Sequence, residues 1–234
     1  MLTARSDGFK CKPFVLLKWK RADPKIVFDF KKSLELCWMG TTWMNDESTS
    51  LHLQKTLGSS LFGKRLLVWD SFRSHMSEKT KTLLRDLRLH SAIIPGGCTK
   101  VQPPGVSWNA PFKAGIRRRY EEWMAHGEKR LTRGGNVAAP PMEIYLPWIA
   151  DSWRELPEDL IVKSFKQCGI TVAFDGSEDD QIPCFKPHGQ IPAGRQKLAE
   201  ARRSHDLGNE CNLSGVSNET DIDELTDDEL LDDA

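Results

Sequence analysis

Residues 65–97 constrain this chain more than any other stretch, because two short apolar runs are separated there by one helix's length of amphipathic sequence. Leu66-Leu67-Val68-Trp69 is bounded by Gly63-Lys64-Arg65 and by Asp70-Ser71, the pattern of a buried strand that ends on an acid. Ser77 is placed to cap a helix in which Thr80, Leu83, Leu84 and Leu87 recur at helical spacing, with Lys79, Lys81, Arg85 and Arg88 on the polar side. Ala92-Ile93-Ile94 then reads as a second strand, ended by Pro95-Gly96-Gly97. Strand, helix and strand at this length form a βαβ crossover, so parallel pairing is expected. Sites in open α/β sheets form at the carboxyl ends of strands, which singles out Asp70. An Asp-Ser pair at a strand end is also an ordinary turn opener, so composition alone leaves both roles open.

Several motifs agree in order and spacing with one family. LLVWDSFRSH (66–75), IPGGCT (94–99), Gln102-Pro103 and VSWNAPFK (106–113) resemble the catalytic-core block of the pogo/Tigger branch of DDE transposases and their domesticated derivatives. The likeness continues through Ile116 to Met124 and again from Pro157 to Ile182. The resemblance implies an α/β fold, an RNase H-like mixed sheet flanked by helices and incomplete at its N-terminal side, and the residues beyond it read as a C-terminal helical extension and a disordered acidic tail. On this reading the partial core occupies residues 1–133, a Gly/Ala/Pro-rich linker 134–141, the helical extension 142–174 and the tail 175–234.

In such enzymes three acids hold two divalent cations that clamp the attacking and leaving oxygens of a phosphodiester. The resemblance maps the second acid onto Asp70. The third acid follows a Gln-Pro pair in these relatives, and that position is Gly105 here, which has no ligand atom. The first acid belongs upstream of the segment resembling Met1 to Lys18, where this chain begins. One surviving ligand could hold hydrated Mg²⁺ weakly at best, so no cofactor is required and no strand transfer is expected. Asp46 and Glu47 are candidate substitutes, but first-turn acids of a helix running on to Leu57 are better read as dipole and capping residues. His75 is either a satisfied loop histidine or a phosphate contact.

A net charge of zero conceals an asymmetry: residues 1–174 hold 28 Lys/Arg against 17 Asp/Glu, and residues 175–234 hold 5 against 16. Basic clusters include Lys18, Lys20 and Arg21, then Lys31-Lys32, then Lys79, Lys81 and Arg85, then Arg117, Arg118 and Arg119, then Lys129, Arg130 and Arg133. Clustered cations release counterions from DNA and give salt-sensitive, sequence-independent affinity. Each cluster also reads as a solvated helix face, and Arg117-Glu121 and Arg118-Glu122 are spaced to pair with each other. The eight tryptophans are read as core before base-stacking residues. Six scattered cysteines form no C-x-x-C pair, and Cys37 and Cys168 read as reduced core residues.

Trp148, Ile149 and Trp153 mark one helix of the extension, and Pro157 opens another with buried positions Leu160, Ile161, Phe165 and Cys168 and with Gly169 closing it. From Asp175 the apolar density falls and disorder is expected. Within that tail, residues 219–233 interleave Ile222, Leu225, Leu230 and Leu231 with nine acids. No run is long enough to span a bilayer. The expected function is nuclear DNA binding by a transposase-derived protein without strand-transfer activity. The alternative is a scaffold whose acidic tail recruits a basic nuclear partner, and an active metal-dependent endonuclease comes third.

Overall fold

The computed structural model describes residues 1–58 and 64–212. Its elements are β1 (Phe14–Leu17), α1 (Pro24–Phe30), β2 (Glu35–Trp38), α2 (Asp46–His52), β3 (Arg65–Asp70), α3 (Arg73–Met76), α4 (Glu78–Asp86), β4 (Leu89–Ile94), α5 (Asn109–His126), α6 (Met142–Arg154), α7 (Glu158–Gln167) and α8 (Gly194–Asn212). The fold is α/β, and its strands form two separate parallel pairs, β1 with β2 and β3 with β4. The βαβ unit forms as the spacing requires, with Leu66 opposite His90 and Asp70 opposite Ile94. Ser77 caps α4 by accepting the Thr80 amide. One mixed sheet was the expectation; among the described residues the two pairs share no ladder, because each strand's bonding partner is the one its own crossover helix delivers.

Three apolar clusters hold these pieces. Leu17, Ile26, Leu34 and Leu146 join β1 and α1 to α6. Leu53, Leu84, Leu87 and Leu89 close α4 over β3 and β4, and Leu67 and Trp69 pack on the same side. The third cluster, Trp108, Trp153, Leu156 and Ile161, ties the extension to the N-terminal segment through Leu2 and Ala4. Its indoles are satisfied: Trp108 Nε1 donates to Ser164 Oγ at 2.9 Å, and Trp153 Nε1 donates to the Cys11 carbonyl at 2.8 Å. Lys10 Nζ donates to the carbonyls of Trp153, Arg154 and Leu156, placing a cation at the C-terminal end of α6, where the helix dipole favours one. The extension thus packs back onto the core as its apolar stripes require.

The connector over residues 134–141 is entered through a tight reversal, in which Leu131 bridges Val137 and the Thr132 amide donates to the Asn136 carbonyl. Beyond it one segment differs from the sequence reading. Disorder from Asp175 is not what the structure has as far as Asn212. Ile182 is buried, short helical turns occupy Asp179–Gln181 and Pro183–Phe185, and α8 follows. A few contacts achieve this without high apolar density: Arg202 donates twice to the buried Asp179 carboxylate, and Lys166 pairs with Glu178. The acidic stretch 219–233 lies outside the described residues. Among the described residues no helix is long and apolar enough to cross a membrane.

Candidate functional site

Asp70 stands at the carboxyl end of β3 with its side chain 52% exposed, where the strand pattern places it. Its carboxylate is already engaged. His75, on the short helix α3 and only 6% exposed, brings Nδ1 to 2.9 Å from Asp70 Oδ1 and 3.0 Å from the Asp70 carbonyl oxygen. Both neighbours are acceptors, so Nδ1 carries the proton. The imidazole lies flat on Trp69, with ring centroids 4.1 Å apart and planes 6° apart, and Phe72 meets it edge-on. His75 is therefore a packed, buried histidine of α3. Its Nε2 is buried with no partner among the described residues.

Gly105 lies in the π-helical turn Pro104–Trp108, and a Cβ there would sit 2.7 Å from the Thr99 carbonyl oxygen. The position lacks a ligand atom and also has no room for one without moving backbone. Asp46 and Glu47 occupy the first turn of α2, whose true cap is Asn45: its side chain accepts the Ser48 amide while Ser48 Oγ accepts the Asn45 amide. Capping is thus done by the residue before the two acids. They line a cleft of about 540 Å³ together with Phe72, Arg73, Ser74 and Lys79. Among the described residues no three His, Cys, Asp or Glu side chains come together in a group that could hold a metal ion.

The basic residues separate into places. Lys18, Lys20 and Arg21 are exposed in the β1–α1 connection. Lys79, Lys81 and Arg85 lie on the outer side of α4, with Lys81 bound to Glu78 and Arg85 to Thr82. Arg117 and Arg118 are exposed on α5. Arg118 reaches Glu155 at the end of α6, as does Arg119, and this cross-helix pairing replaces the expected bond to Glu122. Lys20 shares a second cleft, of about 580 Å³, with Lys31 and Lys55. Lys55 escaped the sequence reading because it stands alone in the chain and joins a cluster only through the turn after α2.

His52 was also missed. It is buried between Thr3 Oγ1 at 3.3 Å and Thr56 Oγ1 at 3.1 Å, and burial, aided by the Met1 amino group and His75, pushes its pKa down to about 3. Cys37 and Cys168 are buried as read, and burial beside Cys184 raises the Cys168 thiol to about 12. Of the tryptophans, Trp108, Trp123 and Trp153 are buried, whereas Trp19 and Trp43 are exposed.

Comparison with known proteins bears on the whole segment that carries Asp70. The chain is similar to the pogo transposable element with KRAB domain of Homo sapiens, 26% identical over 199 residues that cover 83% of this chain and 32% of that protein. The Mus musculus protein of the same name is 25% identical over 197 residues, covering 82% of this chain and 32% of its own length. The chain therefore spans about a third of the length of these curated relatives. No solved structure matches it. The profile of the DDE superfamily endonucleases matches residues 1–165, and with the strand end, the Asp70 loop and the extension all inside or adjoining that span, the chain belongs to the DDE superfamily endonuclease family.

Proposed function

We propose that this chain is a DNA-binding derivative of a pogo-like transposase core that carries out no strand cleavage or transfer. The observation that carries the reading is the state of Asp70. His75 Nδ1 lies 2.9 Å from its carboxylate, and the position that resembles the third acid is a glycine packed against the Thr99 carbonyl. In-line displacement on a phosphodiester needs two cations fixed in register, and one carboxylate engaged by an imidazole does not supply that. The two parallel strand pairs are read here as parts of an RNase H-like sheet.

DNA affinity rests on Lys18, Lys20, Arg21, Lys79, Lys81, Arg85, Arg117 and Arg118, all exposed. Side chains of this kind neutralise phosphates and carry no base readout, so binding is sequence-independent and the site of action is the nucleus. The expected result is a gel shift with the full chain whose log affinity falls linearly with log salt, the slope shrinking when Lys79, Lys81 and Arg85 are changed to Glu. Absence of any shift at low salt overturns the binding half. Mg²⁺- or Mn²⁺-dependent nicking that disappears in Asp70→Ala overturns the inactive half.

A further inference from the structure

The second cleft lies between α1, β2 and the turn that follows α2. Lys20, Lys31 and Lys55 line it beside an aliphatic wall that includes Leu34, Leu36 and Leu51. The single carboxylate in the lining, Glu35, is paired with Lys12 at 3.4 Å. Lys31 Nζ sits 4.2 Å above the exposed Phe28 ring, while Lys20 and Lys55 have no carboxylate partner among the described residues. Trp38, also in the lining, keeps its indole N–H buried with no acceptor among the described residues. Such a cleft presents positive charge and apolar surface together, and suits an acidic peptide that carries aliphatic side chains.

We propose that residues 219–233 of this same chain bind in that cleft. The segment has nine acids, no Lys or Arg, and Ile222, Leu225, Leu230 and Leu231 among the acids. Its carboxylates answer the three lysines, and its aliphatic side chains answer Leu36 and Leu51. The tether is of the right order: the fourteen residues from Asn212 to Thr226 extend to about 46 Å, comparable with the roughly 40 Å breadth of a domain this size. Tethering also sets an effective concentration on the order of millimolar, which favours the chain's own tail over a free peptide. Nucleic acid would satisfy the lysines but leaves the aliphatic wall without a matching surface. The inference goes beyond the DNA-binding reading and stands without it, although occupancy of Lys20 by the tail would weaken DNA contact.

Zero-length carbodiimide crosslinking of the full chain, read by mass spectrometry on the monomer band, tests this. Lys20, Lys31 and Lys55 are expected to couple to acids within 219–233 at low salt. A triple variant, Ile222→Asp, Leu225→Asp and Leu230→Asp, raises the tail's charge, leaves the packed core untouched, and is expected to reduce the yield about tenfold as the apolar contacts are lost. Unchanged or higher yield in that variant means general ionic attraction and overturns the proposal. So does coupling spread over the other surface lysines, coupling found only in the dimer band, or an oligonucleotide protecting the three lysines from acylation where the tail does not. No DNA enters the primary measurement, so its outcome is independent of the gel shift.

Discussion

At the scale of single residues, burial and partners decide roles that residue type leaves open. Asp70 was placed correctly by the strand pattern, yet its engagement depends on His75, and His75 is oriented by stacking on Trp69 rather than by any local motif. His52 gives the sharpest expectation. Its folded pKa near 3 lies below the value of 6.5 for a free imidazole, so between those limits the unfolded chain binds the proton and the folded chain does not. The contribution from neutral His52 is therefore complete above pH 6.5 and is lost as pH falls toward 3, by up to about 1.4 kcal/mol per pH unit. Denaturant midpoints measured from pH 7 to pH 4 should fall less steeply in His52→Gln than in the parent chain, and equal slopes would remove His52 as the cause. Nothing in the sequence around His52 announces this, because Thr3 reaches it from 49 residues away.

Elements were more legible than residues. The cap at Ser77, the apolar side of α4, the parallel pairing of β3 with β4 and the paired helices α6 and α7 all follow from local periodicity and capping chemistry. The contact of α5 with α6 does not. It depends on Gly115, where a Cβ would lie 2.8 Å from Ser152 Oγ, and on Arg119, which donates to Ser152 Oγ and pairs with Glu155. Gly115→Ala should gain local helix propensity and still destabilise the protein by roughly 1–3 kcal/mol, since the helices must separate to admit the methyl group. Chemical denaturation reads the balance, and a stabilised variant would show that the helices give way freely.

For the whole molecule, low apolar density past Asp175 misled the reading because a small number of buried polar contacts anchors that segment. Asp179, buried and held by Arg202, does much of this. Asp179→Asn should speed amide exchange across α8 while leaving α5 and α6 protected, and uniform exchange throughout would mean that the segment is not an independent cooperative unit. The sequence by itself determined the family, the βαβ unit, the acid at its strand end and the opposed charges of the two halves. These are local or motif-level properties, written in spacing and composition. The tertiary structure alone decided that the strands form two pairs, that His75 occupies the carboxylate of Asp70, that a Cβ at Gly105 meets the Thr99 carbonyl, and that Lys55 joins Lys20 and Lys31 at one cleft. The strand pairs and the Lys55 cleft depend on groups far apart in the chain, the Asp70–His75 and Gly105–Thr99 approaches on the turns their loops take over five and six residues, and periodicity specifies neither.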